Sequence, residues 1–496
     1  MSNLTISQFF HWYYSPEGNL WQHAKSEAAR LAALGITHVW LPPAFKSARG
    51  VNEPGYAVYD LYDLGQFKQK GTVRTRYGKR KEYLDCIKTF HANGIQVMAD
   101  IVLNHKDGGD EKETIPVQQV NSENRNEYIG DPKHIEAFTK FTFPGRKGKY
   151  SDFIWNWQSF TGVDNENHEI YLILNDYANC QWEEMVEDEK GNFDYIMASD
   201  IEFRNPYVRE ELKKWGEWYI KTTKVDALRL DAVKHISYRF FNEWIDHLKN
   251  HFKKDFFVLG EYWRHEVHHL LKYIDATEGR IQLFDVPLHF NFYEASKQNN
   301  NYDLRNIFKG SLLEARPELA VTFVDNHDTQ PLQSLQSTVD YWFQPLAYAL
   351  ILLREQGIPC VFYPAMYEAK YADWKDGKEI YIEMNKVPCM ENMLRIRKEF
   401  AYGLQRDYFD HNNTIGWTRE GKEDNSLSGC AIIITNGSAG NKNMEMGKRH
   451  SGKIFVDVCG GRQEKIVIDE KGWGEFFVND RSVSVWIHEE ALKVMK

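Results

Sequence analysis

What this chain lacks narrows its class before anything else does. No run of about 18 apolar residues occurs anywhere along it, so no segment reads as a membrane-spanning helix. The opening MSNLTISQFFHWYY has no basic stretch, no long apolar core and no small-residue cleavage site, so no secretory leader is expected. Cysteine is scarce. Cys86, Cys180, Cys360, Cys389, Cys430 and Cys459 are scattered without C-x-x-C spacing, and the expectation is reduced thiols in a cytoplasm. Positive charge is not in excess either: 61 Lys and Arg against 71 Asp and Glu leave a net charge of −10, which excludes a nucleic-acid backbone as the natural partner. There is no internal repeat and no low-complexity segment. The basic run RTRYGKRK (74–81) and the acidic run EEMVEDEK (183–190) read as solvated surface.

What is present is aromatic. Phe, Trp and Tyr make up 14% of the chain, with 15 Trp, and such rings offer flat apolar faces on which sugar rings can rest. At 496 residues the chain suits one large barrel or sandwich plus satellites. Eight short apolar runs read as strands: ISQFFHW (6–12), THVWLP (37–42), IQVMADI (95–101), VDALRLD (225–231), FFVLGE (256–261), IQLFDV (281–286), LAVTFVDN (319–326) and IPCVFY (358–363). Helical patterns lie between most of them. WQHAKSEAARLAALG (21–35) ends on a glycine suited to a helix terminus, and NPYVREELKKWGEWYIKTT (205–223) opens with Asn205 as cap and Pro206 in the first turn. Strand and helix in alternation imply an α/β fold, a closed (β/α)₈ barrel with parallel strands.

Two segments break the rhythm. Residues 104–204 are too long for a strand-to-helix loop and read as a domain inserted after the third strand. From residue 399 to 496 short strands such as CAIIIT, KIFVDV and SVSVWI replace the alternation, which predicts a C-terminal all-β sandwich. The barrel is then expected over 1–103 and 205–398.

In such a barrel, chemistry gathers at the carboxyl ends of the strands. The third strand ends on Asp100, followed by Asn104 and His105. The fourth carries Arg229 and Asp231 two residues apart, on one face, followed by Lys234 and His235. The fifth ends on Glu261, with Tyr262 and Trp263 behind it, and the seventh runs into His327 and Asp328. Asp231, Glu261 and Asp328 crowded into one mouth push each other's pKa values apart, so that one stays ionised beside Arg229 while another stays protonated. Glycoside hydrolysis needs that division between a nucleophile and a proton donor. His105, His235 and His327 are candidates to bind sugar hydroxyls, and Tyr56 and Trp263 to stack on sugar faces.

The stretches DIVLNH (100–105), LRLDAVKH (228–235), GEYW (260–263) and FVDNHD (323–328), in that order, resemble the four signature regions of the α-amylase family, glycoside hydrolase family 13. GYAVYDLYDLGQFKQKGTVRTRYG (55–78) and FPGRKGKYSDFIWNW (143–157) resemble the liquefying bacterial members, so the likeness covers the chain. The resemblance implies a retaining, endo-acting hydrolase of α-1,4-glucosidic bonds in starch, glycogen or maltodextrin. Asp231 would be the nucleophile, Glu261 the acid/base and Asp328 the stabiliser of the distorted sugar. Tyr56, His105, Arg229, Lys234, His235, Trp263 and His327 would serve the substrate.

The resemblance also implies Ca²⁺, held by Asn104, Asp194, Asp200 and the carbonyl of His235 between barrel and insertion. Thr161, Glu183, Glu202 and Arg204 stand where secreted relatives need more aspartates, so one calcium is expected rather than a cluster. Ala227 and Leu228 replace the usual Gly-Phe of the second signature. Same-fold alternatives are an exo-acting maltooligosaccharide-forming or transglycosylating enzyme; a glycan-binding relative without activity is a third, opposed by the intact acids. A monomer with no membrane or nucleic-acid partner completes the expectation.

Overall fold

The computed structural model describes residues 3–495. Eight parallel strands close into a barrel: β1 (Ile6–Gln8), β2 (His38–Leu41), β3 (Gln96–Ile101), β4 (Ala227–Leu230), β5 (Phe257–Gly260), β6 (Gln282–Phe284), β7 (Ala320–Phe323) and β8 (Ile358–Phe362), with β8 pairing back onto β1. All eight apolar runs of the sequence become barrel strands. Parallel neighbours cannot be joined by a tight hairpin, so each strand is followed by a crossover helix. These are α1 (Leu20–Ala33), α2 (Arg80–Ala92), α3 (Pro206–Thr223), α4 (Tyr238–Phe252), α5 (Val267–Ala276), α6 (Val286–Gln298), α7 (Gln344–Leu352) and α8 (Met390–Glu399).

Local chemistry sets the helix limits. The Asn205 side chain accepts from the Tyr207 backbone N–H at 3.0 Å and Pro206 opens the first turn of α3. Lys224 then ends α3 in the left-handed region. In α4, Phe240, Phe241, Trp244, Ile245 and Leu248 recur at helical spacing and are buried against the barrel.

Between β3 and α3 the chain forms a six-stranded antiparallel sheet, ordered 105–106, 199–201, 160–164, 170–173, 111–120 and 128–140. Its first strand begins directly beyond β3, so the sheet hangs over the barrel mouth. After α8 a six-stranded antiparallel sheet (405–408, 414–419, 430–435, 482–488, 454–457, 466–467) faces a two-stranded one (440–445 with 473–478) across a core that includes Ile433, Met444, Phe476 and Trp486. This is the expected sandwich. A hairpin not foreseen from the sequence, 369–375 paired with 378–384, follows β8.

Two expectations are corrected. Cys389 and Cys459, 70 residues apart in sequence with Cα atoms 5.4 Å apart, form a disulfide that ties the start of α8 to the C-terminal sheet. Cys86, Cys180, Cys360 and Cys430 remain free thiols. The acidic run 183–190 is not simply solvated surface, since Glu183 and Glu187 are buried. Arg204 lies 3.6 Å from Glu183 and makes two 2.7 Å hydrogen bonds to Glu202, while Glu187 accepts from the Tyr262 hydroxyl.

Candidate active site

The pairing of β3 with β4 sets Arg229 opposite Asp100, and both side chains are fully buried at the barrel axis. A buried guanidinium needs acceptors for its N–H groups, and three carboxylates supply them. Nη1 donates to Asp100 at 2.8 Å and to Asp231 at 2.7 Å, and Nη2 donates to Glu261 at 2.7 Å. Asp100 also accepts from the Tyr56 hydroxyl at 2.8 Å and from Trp40 Nε1 at 3.1 Å. Asp100 is therefore a fixed anchor below the mouth. Asp231 and Glu261 are the pair that opens upward into the cleft.

The cleft is a cavity of about 670 Å³ at the carboxyl ends of the strands. Tyr56, His105, Asp231, Lys234, His235, Glu261, Trp263, His327 and Asp328 all line it, so the sequence candidates from five separate segments converge on one space. Arg229 lies one layer deeper. Lys234 Nζ is held by Glu189 at 2.5 Å and by the Trp263 carbonyl at 3.1 Å. His105 Nε2 lies 2.9 Å from the Tyr56 carbonyl. Trp12, at the end of the first apolar run, escaped the sequence reading. Its ring stacks on Tyr56 at 5.5 Å and 7°, and Tyr56 stacks on His327 at 5.0 Å and 15°. Gln8 Nε2 holds His327 Nδ1 at 3.0 Å from beneath. Phe193, Ile196 and Met197 add an apolar wall from the inserted sheet.

The electrostatics divide the acids. Burial raises Asp231; Arg229 opposes that rise, Asp100 adds to it, and the balance leaves it at about 6. Burial also raises Glu261, against the pull of Arg229 and with the push of Asp231's charge. Asp328 has the least compensation. Burial and then the charge of Glu261 push it well above the usual carboxylate range. Its nearest cationic candidate, His327 at 3.4 Å, is itself held neutral by burial. Asp328 thus faces the cavity with its carboxyl free to grip a ligand's hydroxyls.

A second acidic group lies beneath the cleft's inserted wall. Asp194 and Asp200 are buried, and burial raises both far above the normal range, with Asp194 pushing Asp200 further. Asn104 Nδ2 donates to Asp200 Oδ1 at 2.9 Å. Among the described residues, Asn104 Oδ1 and Asp200 Oδ2 are buried oxygens without a hydrogen-bond partner. His235 Nδ1 lies 2.6 Å from the carbonyl of Phe193, the residue before Asp194.

Two acids held on one guanidinium, one able to keep a proton while the other is charged, provide what cleavage of a glycosidic bond requires. The class defined is a glycoside hydrolase on a (β/α)₈ barrel. The chain belongs to the α-amylase family: the family model described as alpha amylase, catalytic domain, matches residues 28–423, and the one described as alpha-amylase C-terminal matches 431–487. It is 46% identical to the cytoplasmic alpha-amylase of Escherichia coli (strain K12), over 99% of this chain and 100% of that protein. It is 46% identical to an alpha-amylase of Geobacillus stearothermophilus, over 98% and 87%. Identity to a glucan 1,4-alpha-maltohexaosidase of Bacillus sp. (strain 707) is 44%, over 98% and 93%. A solved Anoxybacillus alpha-amylase superposes with a TM-score of 0.62 at 18% identity, covering 98% of this chain and 97% of that one, which supports the fold alone.

Proposed function

We propose that the chain hydrolyses internal α-1,4-glucosidic bonds of starch, glycogen or maltodextrin with retention of configuration. The observation that carries this reading is the sharing of one guanidinium by Asp231 and Glu261. Acids each drawn to 2.7 Å from one guanidinium fit the close spacing of about 5–5.5 Å found in retaining enzymes better than the ~6.5–9.5 Å that leaves room for water in inverting ones.

In the first step an Asp231 oxygen attacks the anomeric carbon while the Glu261 proton passes to the departing glycosidic oxygen. The carbon–oxygen bond to the leaving chain breaks as the bond to Asp231 forms. In the second step Glu261, now ionised, takes a proton from water; the water oxygen attacks the same carbon and releases Asp231. One water is consumed per bond. Asp328 holds ring hydroxyls of the distorted sugar, the Trp12–Tyr56–His327 stack and Trp263 supply faces, and His105, Lys234 and His235 bind hydroxyls along the cleft.

The test is maltoheptaose hydrolysis followed by proton NMR at early times, with chain-length analysis of the same samples. The expected result is α-anomer first and a mixture of short products. Early β-anomer would overturn the mechanism. One dominant product would establish the second reading, an exo-acting maltooligosaccharide former, which the 44% identity to the maltohexaosidase favours.

Asn104, Asp194, Asp200 and the backbone carbonyl of His235 are proposed to hold one Ca²⁺. Two buried aspartates without a full counter-charge and two orphaned buried oxygens are a hard-oxygen donor set. The ion would neutralise the aspartates and fasten the inserted sheet to the barrel, behind His105 and His235. Chelation by EDTA is expected to lower the melting temperature by several degrees, and added Ca²⁺ to restore it. In Asp200→Asn that response should vanish; a calcium response equal to wild type would remove Asp200 from the site.

No helix among the described residues is long and apolar enough to cross a membrane. A cytoplasmic enzyme acting on α-glucan is proposed from the name of the Escherichia coli relative, and a monomer is proposed with it.

A further inference from the structure

The outer surface of the barrel carries a cluster that the glycosidase chemistry does not use. His247 and His251 lie four residues apart on α4, so their rings rise from one face of that helix. Glu217 projects toward them from α3. Its Oε1 is 2.6 Å from His247 Nε2 and 3.2 Å from His251 Nδ1, and one ligand atom from each of the three residues lies within 4.8 Å of the others. Among the described residues, the two histidines are the only ion-pair partners of Glu217. Lys213 and Arg209 of α3 reach Glu243 instead.

The scaffold beneath the three residues is rigid. Gly216, next to Glu217, lies where a Cβ would come within 2.9 Å of the Trp244 ring, so α3 and α4 touch backbone to ring. Trp244 Nε1 donates to the Leu212 carbonyl at 3.0 Å and locks the same contact. The ligand atoms are therefore presented by two helices whose separation is fixed by buried packing.

We propose that Glu217, His247 and His251 form a binding site for a borderline transition-metal dication, Zn²⁺ or a similar ion, that staples α3 to α4. Imidazole nitrogens favour such ions over Ca²⁺, which prefers a shell of oxygens. Zinc–ligand bonds of about 2.0–2.1 Å put tetrahedral ligand atoms a little over 3 Å apart, the spacing already present between Glu217 Oε1 and His251 Nδ1. The 2.6 Å contact from Glu217 Oε1 to His247 Nε2 must open by less than about 1 Å for the ion to take both atoms as ligands, with Nε2 presenting its lone pair. Partial exposure of all three side chains, at 30–43%, leaves the remaining coordination positions to water.

The test uses the full chain, stripped with EDTA, dialysed free of chelator and held in excess Ca²⁺ so that oxygen sites are filled. Calorimetric titration with Zn²⁺, and with Co²⁺ read by its visible absorption, is compared between wild type, His251→Ala and Glu217→Gln. Wild type is expected to bind one more equivalent than either variant and to gain a few degrees of melting temperature with Zn²⁺ that both variants lack. Equal stoichiometry and equal thermal shifts in wild type and His251→Ala would overturn the site. His251 is exposed, so its loss leaves the core intact, and His251→Gln serves as the second truncation. Turnover of maltoheptaose by the Ca²⁺-loaded, zinc-free variants should match wild type, which keeps this test separate from that of the glycosidase reading.

Discussion

Asp231→Asn will silence the enzyme and at the same time stabilise it at neutral pH. The asparagine keeps the shape and can still accept from Arg229, but it cannot bond covalently to a sugar. Removal of a nucleophile of this kind lowers kcat on the order of 10⁴–10⁶-fold. The stability effect follows from the same carboxyl. Its pKa rises from 3.8 to about 6 on folding, because burial and Asp100 outweigh Arg229. A carboxyl raised by folding contributes its full stability only below about 3.8 and loses it as pH rises through about 6. At pH 7 the ionised side chain therefore costs about 3 kcal/mol, at about 1.4 kcal/mol per pKa unit. The neutral amide removes that cost. Thermal melts at pH 7 should place the variant a few degrees above wild type, with the gap closing as pH falls below 6. A variant that is inactive but also less stable at pH 7 would show that Asp231 is held comfortably, and the strained-nucleophile account would fail.

The sequence announced some parts of this molecule and hid others, for physical reasons. Strands buried on both faces leave apolar runs, so all eight barrel strands were legible. Arg229, Asp231, Glu261 and Asp328 stood out because charge at the end of such a run is rare unless it does work or is paired. Trp12 gave no such signal. In a chain with 14% aromatic residues one more ring at a strand end does not distinguish itself, and only the stack on Tyr56 reveals it.

The buried acids of 183–190 were misread because their partners, Arg204 and Tyr262, are brought in by other segments. The Cys389–Cys459 bond was invisible for the same reason: a separation of 70 residues carries no geometry until α8 and the C-terminal sheet are docked. Glu217, His247 and His251 likewise share no motif. What could be read was local periodicity and the fold's rule for where chemistry sits. What could not be read was pairing across elements.

Arg229→Met is expected to be the most destabilising change, because three buried acids share this one cation. Asp100, Asp231 and Glu261 would lose their common cation, and breaking a buried pair by removing one partner typically costs about 3–5 kcal/mol. That deficit should shrink as pH falls, since unpaired carboxyls can then take up protons. Activity should fall about 10³-fold or more, because nucleophile and acid both lose their orientation. The pH profile separates charge from geometry. In wild type, kcat/KM should drop as pH falls through about 6, where Asp231 takes a proton and can no longer attack. Arg229 is the group that pulls Asp231 down, so in Arg229→Met this acid limb should move upward. Arg229→Lys keeps the charge but not the planar fork that reaches Glu261 from Nη2 while Nη1 holds both aspartates. Its acid limb should stay near that of wild type, its stability should lie between the other two proteins, and its kcat should still fall about 10²-fold. An unmoved acid limb in Arg229→Met would mean that Asp231 owes its ionisation to something other than the guanidinium, and the division of labour between the two acids would have to be sought elsewhere in the cleft.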